Sequence, residues 1–422
     1  MNIQPFKSST ILLLILFMMP AQAAWPKIYI DISSPFMEKI PIALSKPELS
    51  DNTYENRQAA KKLSSILQSD LLFHGFFSVF DSAFQTGGEK LDYRVDTKMD
   101  RQGTSITVTL KLIDLSDNSM LVGRRYLGTV NDLRKMAHRF SNEIVKAITG
   151  KPGVSLSRIL FVSKQGSRSE VFSADFDGMN IRQETRQKSI VMSPRYSPDG
   201  RHITFTSFRS GRPCLYMKNT GTGKISRLTG YRGLNMSPSW APSGDRLAVT
   251  LSKGGTPDIY LIGLDGRILK RLTRGPAINC SPSFSPDGRR LAFVSDRNGS
   301  PQLFIMDLGS GRTRRLTFSG SYNTDPQWSP TGDRIAYVSR LGGRFQIFTI
   351  SPDGGNPVQL TYEANNENPS WSPDGRQILF SSTRTRGKKS LYVMYANGQN
   401  QRLLLDYGQS DYFPFWGPNS FK

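Results

Sequence analysis

Ser281-Pro282-Ser283-Phe284-Ser285-Pro286-Asp287-Gly288 decides the fold, because the chain repeats it. The same eight positions read Ser193-Pro194-Arg195-Tyr196-Ser197-Pro198-Asp199-Gly200 and Ser237-Pro238-Ser239-Trp240-Ala241-Pro242-Ser243-Gly244. They return as Asp325-Pro326-Gln327-Trp328-Ser329-Pro330-Thr331-Gly332 and Asn368-Pro369-Ser370-Trp371-Ser372-Pro373-Asp374-Gly375. A sixth, shorter copy is Phe413-Pro414-Phe415-Trp416-Gly417-Pro418. The second proline falls at 198, 242, 286, 330, 373 and 418. That period, with short β-rich runs between turn signals, is the signature of propeller blades.

Each unit has a mechanical reading. Ser-Pro-Asp-Gly forms a type I turn, in which proline presets φ at the second position and glycine ends the turn. The aromatic before it belongs on an inner strand, packed between neighbouring blades. A β-rich run such as Arg290–Ser295 follows, then a strand such as Gln302–Asp307. Arg315-Leu316-Thr317 closes the unit as its outermost strand, with counterparts at Arg227-Leu228-Thr229, Arg271-Leu272-Thr273 and Gln359-Leu360-Thr361. Each unit thus has four strands. The first unit, from Arg158, lacks an inner strand, whereas Phe413–Pro418 is an inner strand with nothing after it. The C-terminal strand is therefore expected to complete the first blade. That closes six blades and removes the unpaired edges of an open array. A linear solenoid would need caps that neither end resembles.

Gly150-Lys151-Pro152-Gly153 marks the expected boundary between a domain at 24–150 and the propeller at 151–422. The earlier part reads as a small α/β domain. Ile28, Ile30 and Ile32 alternate as in a strand, and Ala59, Leu63, Leu67 and Leu71 have helical spacing. Residues 91–99, 104–115 and 119–128 suggest a strand meander with a tight turn at Asp117-Asn118. Residues 132–149 suggest a second amphipathic helix with Asn131 as its N-cap. His74 and His138 are isolated and read as surface or helix-end residues; no metal site is expected from them.

The start of the chain reads as an export signal: Lys7, the apolar run Ile11–Met19, then Ala21-Gln22-Ala23, with cleavage expected after Ala23. The mature protein is expected to be soluble and exported. With two cysteines there is no disulfide framework. Cys214, at the start of an outer strand, and Cys280, in a channel-side loop, fall in non-adjacent blades and read as free thiols.

Charge is uneven. Of the formal net charge of +21, residues 151–422 carry +18, from 37 Lys+Arg and 19 Asp+Glu. This suits either an anionic partner or a well-solvated surface.

Loops leading into the inner strands converge on one face. Each carries a polar residue three before the first proline: Asn235, Asn279, Asn323, Asn366 and Asp411, with Val191 in the first unit. Asn and Asp stabilise turns, so a backbone role is one reading. A ring of hydrogen-bonding groups at the channel mouth is the other, with Leu234, Met236, Cys280 and Tyr322 adding apolar contact. Three function classes follow: an interaction module, a propeller hydrolase, and a nucleic-acid binder. A peptidase of this architecture carries a separate domain with Gly-x-Ser-x-Gly, and the chain lacks that motif. Asp325, Glu367 and Asp411 lie near the right face for a glycosidase or lactonase, but without a recurring paired spacing. An export signal argues against nucleic acid.

In its order of signal, small α/β domain and six Pro-x-aromatic-Ser-Pro-Asp-Gly units, the chain resembles the TolB family, the periplasmic component of the bacterial Tol–Pal system. Lys27-Ile28-Tyr29-Ile30-Asp31, Ile148-Thr149-Gly150 and Met192-Ser193-Pro194 add to the likeness. The resemblance implies a non-enzymatic, cofactor-free monomer that binds the peptidoglycan-associated lipoprotein Pal through the propeller and TolA through the mature N-terminus. It implies a role in drawing the outer membrane inward at division and in envelope integrity. Carried onto this chain, the Pal-facing positions are Leu234, Asn235, Met236, Ser237, Asn279, Cys280, Ser281, Tyr322, Asn323, Thr324 and Asp325, with Asn366 and Asp411 of the same ring. The TolA-linked segment is Ala24, Trp25, Pro26, Lys27, Ile28, Tyr29, Ile30 and Asp31.

Overall fold

The computed structural model describes residues 39–81 and 90–419. The expected signal, its Ala21 and Ala23 cleavage positions, the strand at 27–32 and the TolA-linked segment lie outside the described residues.

The N-terminal unit is one mixed sheet under two helices. Its elements are β1 (Ile40–Leu44), β2 (Glu48–Leu49), α1 (Tyr54–His74), β3 (Phe77–Asp81), β4 (Tyr93–Gln102), β5 (Ser105–Asp114), β6 (Met120–Gly128) and α2 (Leu133–Thr149). The sheet order is β3-β1-β4-β5-β6, with β2 on β4. Ala59, Leu63, Leu67 and Leu71 of α1 are buried together with Met136, Phe140 and Ile144 of α2, so both apolar stripes face the sheet. The Asp117-Asn118 turn joins β5 to β6, and Asn118 holds φ at 59°. Thr129, not Asn131, opens the second helical segment. The Thr129 backbone N–H and hydroxyl both donate to Asp132 Oδ2, capping a short 3-10 turn before α2. Asn131 sits inside that turn.

Six four-stranded antiparallel sheets follow. Blade 2 is typical, with strands Val191–Tyr196, His202–Ser207, Cys214–Asn219 and Ile225–Arg227 running from channel to rim. The inner strands of blades 3 to 6 are Asn235–Trp240, Asn279–Phe284, Asn323–Trp328 and Asn366–Trp371. Blade 1 is composite: Ser410–Trp416 pairs with Arg158–Gln165, in register from Ser410 opposite Lys164 to Trp416 opposite Ile159. The ring is therefore closed by the C-terminal strand. Glycine N–H groups at 200, 244, 288, 332 and 375 return to the carbonyls of Ser197, Ala241, Ser285, Ser329 and Ser372, as a type I turn requires. The aromatics stand between blades: Trp240 Nε1 donates to Thr204 Oγ1 of the preceding blade at 3.0 Å, and Trp371 Nε1 to the Gln327 carbonyl at 3.0 Å.

The disc has two unlike faces. The Ser-Pro-Asp-Gly turns mark the turn face; the loops entering the inner strands mark the loop face. The N-terminal unit sits on the turn face at blades 6 and 1. Phe73 meets Phe176 edge-on at 4.8 Å and Trp416 at 6.2 Å, and Arg402 lies 4.7 Å over its ring. Arg134 of α2 bridges Asp175 and Asp177 of blade 1. Gly75 closes α1 with φ at 87°, and a Cβ there would lie 2.4 Å from the Tyr395 ring, so glycine is required twice over. His74 and His138 are both buried in this seam rather than on the surface. Burial is possible because each ring finds a polar partner: Ser155 Oγ at 3.1 Å from His74 Nε2 and Asp70 Oδ2 at 2.7 Å from His138 Nδ1.

Candidate functional site: the propeller channel and its loop face

Every inner strand carries the same irregularity. The residue before the first proline is left-handed in all six blades: Ser193 (φ 51°), Ser237 (53°), Ser281 (52°), Asp325 (51°), Asn368 (55°) and Phe413 (49°). Each lies inside a register shift against the second strand, such as Met236/Ser239 and Cys280/Ser283. Proline has no N–H to give the ladder, and a bulge absorbs that loss while turning the preceding side chain out of the pleat. All six of these residues line one narrow neck of about 40 Å3 on the channel axis.

The neck is polar and asymmetric. Arg195 enters it and stacks 5.0 Å over the Phe415 ring; its Nη1 donates to the Pro194 carbonyl at 2.9 Å. Burial lowers the Arg195 pKa to about 10, opposed by Asp325. Burial raises the Asp325 pKa, and Glu367 adds to the rise; Arg195 and a 3.0 Å hydrogen bond from Asn368 Nδ2 act against it. Toward the turn face the channel widens to a funnel of about 350 Å3, lined by the turn prolines and aromatics such as Trp240 and Trp328.

The expected ring of Asn235, Asn279, Asn323, Asn366 and Asp411 exists, but all five side chains are fully buried. Their partners are loop atoms of the chain itself. Asn235 Nδ2 donates to the Tyr231 and Gly233 carbonyls, and Asp411 accepts from the Tyr407 and Gly408 N–H groups. Asn279 Nδ2 donates to Asp258 Oδ1 at 2.9 Å; Asn323 and Asn366 donate in the same way to Gln302 and Gln346 Oε1. The same acceptors take a hydroxyl from Thr273, Thr317 and Thr361. These triads tie the loop to the third and outer strands. The backbone reading of the ring is the one the geometry supports: these five side chains lie inside their loops and hold them in shape.

The remaining expected residues divide by depth. Tyr322 is exposed at the mouth; Leu234, Met236, Cys280 and Thr324 are half-buried around it; Ser237, Ser281 and Asp325 lie deeper in the neck. Burial raises the Cys280 thiol to about 11, so it stays protonated at neutral pH. Cys214 and Cys280 are both free, and Cys214 begins the third strand of blade 2, one strand inside the rim. Sequence reading missed Arg195, Gln327 and Asn368 as neck residues. The signal was present: in every unit the residue before the first proline lines the neck, joined by that proline or by the residue after it.

A family model for the TolB beta propeller domain matches residues 145–420. The chain belongs to the TolB propeller family. It is 40% identical over 240 residues to the Tol-Pal system protein TolB of Desulfosudis oleivorans, covering 51% of this chain and 54% of that protein. It is 35% identical over 241 residues to the Tol-Pal system protein TolB of Desulfotalea psychrophila, covering 54% of this chain and 55% of that protein. The chain thus spans about half the length of the curated relatives it matches. The crystal structure of TolB from Acinetobacter baumannii superposes with a TM-score of 0.78 at 27% identity, over 90% of this chain and 97% of that one. A superposition of that extent reaches beyond the blades into the N-terminal unit.

Proposed function

We propose that this chain is a non-enzymatic docking component of a Tol–Pal system, exported to the periplasm. In this reading it holds the lipoprotein Pal on the loop face of the propeller and engages TolA through residues 24–31. It thereby couples the two in envelope integrity and in outer-membrane invagination at division. One observation carries the reading. The N-terminal unit occupies the turn face, which leaves the loop face, with Leu234, Met236, Cys280 and Tyr322 around the channel mouth, as the broad surface that no other described residues cover. The buried amide triads hold those loops in place, and pre-ordered loops lower the entropy cost of docking. The neck is a poor hydrolytic site on this reading, since its carboxylate, Asp325, is spent on Asn368 and balanced by Arg195.

The test is binding of the purified mature chain to the soluble part of the Pal lipoprotein of the same organism, by isothermal titration calorimetry. Micromolar or tighter binding, lost on replacing Met236 and Tyr322 by Glu, is the expected result. A null titration against Pal, or turnover of glycoside, lactone or peptide panels, overturns it.

A further inference from the structure

The two faces of the propeller hold their cations differently, and the turns are one reason. Each full turn has one Asp, at the third turn position in Asp199, Asp287 and Asp374 and just after the glycine in Asp245 and Asp333. These acids have a structural job. Asp199 Oδ1 accepts from Ser197 Oγ at 2.6 Å and from the Arg201 N–H at 3.0 Å, and Asp287 and Asp374 do the same in their own turns. They also pair some cations of the turn face, as in Arg201–Asp199 and Arg246–Asp245, with Arg267–Asp265 alongside, while the exposed Lys224, Arg289, Arg312 and Arg314 there form no ion pair among the described residues. The loop face is built differently. Its loops are pinned mostly by buried Asn and Gln amides, with Glu170, Asp258 and Asp411 as the carboxylates that share the task.

The loop face keeps a set of arginines without an ion-pair partner among the described residues. Arg168, Arg186, Arg232, Arg274, Arg340 and Arg344 are exposed there, spread over the loops of blades 1, 2, 3 and 5, and none is in an ion pair among the described residues. The pairs that do form on this face, Lys388–Asp406, Lys389–Glu367 and Arg271–Asp258, engage other side chains. Besides the acids in those pairs, these loops hold Glu170 and Asp296, whose carboxylates accept the Lys188 and Ile278 N–H groups, with Glu363 and the buried Asp411. Between the arginines stand exposed apolar groups: Ile190, Ile278, Phe318, Tyr322, Tyr362 and Tyr407.

We infer that the loop face recognises a carboxylate-rich protein surface, drawn in by the unpaired arginines and held by the aromatic and aliphatic groups between them. This rests on the docking role proposed above and names the chemistry of the partner. Two features favour a protein over a polyanionic glycan. Arginine outnumbers lysine in these loops, and its planar fork matches carboxylates in pairs. Aromatics interleaved with arginine are the composition of protein–protein hot spots.

The experiment measures the association rate of the full mature chain with the soluble Pal lipoprotein by surface plasmon resonance, at about 25 and about 300 mM NaCl. The variant combines Arg186→Glu, Arg232→Glu and Arg274→Glu; the control combines Arg201→Glu, Arg267→Glu and Arg289→Glu on the turn face. The expected result is an association rate that falls about tenfold or more between the two salt concentrations, and a similar fall at low salt in the variant but not in the control. Binding whose rate ignores both salt and the variant overturns the inference and leaves the docking role standing. If the lipoprotein does not bind the unaltered chain, the docking role falls, and immobilised poly-L-glutamate and heparin then judge the inference alone. Capture by polyglutamate that the variant loses supports it. Failure of polyglutamate to bind, or stronger capture by heparin, overturns it.

Discussion

His138 Nδ1 lies 2.7 Å from Asp70 Oδ2 in the seam between the helices and blade 1, and neither residue is more than 6% exposed. The pair joins α2 to α1 beside the ion pairs that Arg134 makes to Asp175 and Asp177. Burial raises the Asp70 pKa from 3.8 to about 6, with Asp177 adding to the rise and His138 and Arg134 opposing it. The fold thus prefers the neutral carboxyl. Its contribution to stability is fully present below pH 3.8 and is lost as pH rises through about 6. The full difference is on the order of 3 kcal/mol. Urea unfolding at stepped pH, on the protein and on Asp70→Asn, measures it. The unaltered protein is expected to lose stability relative to the variant between those two pH values; parallel curves count against the assignment.

His74 has the opposite sign. Burial and the nearby Arg376 lower its pKa from 6.5 to about 3, so the folded state holds a neutral ring. Its contribution is present above pH 6.5 and is lost as pH falls toward about 3, because the unfolded chain takes up the proton first. The limit is on the order of 5 kcal/mol. His74→Gln is expected to flatten the acid limb of the melting temperature against pH. An unchanged limb sinks the claim.

Asn279→Ala removes the donor to Asp258 and the acceptor for Arg297 Nη2 at once. Leaving buried groups unpaired costs about 1–3 kcal/mol. The melting temperature is expected to fall while affinity for the Pal lipoprotein measured well below that temperature stays within about threefold, since the side chain is fully buried. A large affinity loss with unchanged melting would return this residue to the interface.

Trp416→Ala tests closure. Trp416 donates from its backbone N–H to Ser370 Oγ of blade 6 at 2.9 Å and from Nε1 to Ser157 Oγ at 2.8 Å, and it packs with Ile159 and Leu379. A buried tryptophan truncated to alanine costs about 3–5 kcal/mol. Loss at this position loosens the seal between the last blade and the first. Limited proteolysis is expected to release the C-terminal strand early; cleavage elsewhere first argues against the strand as the closing element.

Much of the architecture was readable from local chemistry. The proline–aromatic–turn repeat marked six inner strands, and the mismatch between an incomplete first unit and an orphan last strand implied the composite blade. Turn residues act within a few positions of themselves, so their meaning survives without a three-dimensional context. The helix start was misread at Asn131 because a capping box from Thr129 to Asp132 competes for the same orphan N–H groups. His74 does end α1, but the burial of both histidines was not legible, because burial of a lone polar ring depends on partners far along the chain, such as Ser155 for His74. The polar ring was found, but its direction was not. A loop asparagine that faces solvent and one that faces Asp258 or Gln302 look alike in sequence.

By itself, then, the order of residues determined the repeat, the number of blades, the way the ring closes and the sign of its charge. Only the folded molecule decided which face that charge occupies, which polar groups are spent inside the loops and which side chains meet in the neck. The physical reason is range. Turn geometry and strand alternation are short-range preferences of the backbone. Desolvation and charge balance instead depend on what six separate blades bring to one axis, through bulges whose left-handed residues aim Ser193, Asp325 and Phe413 at the same point.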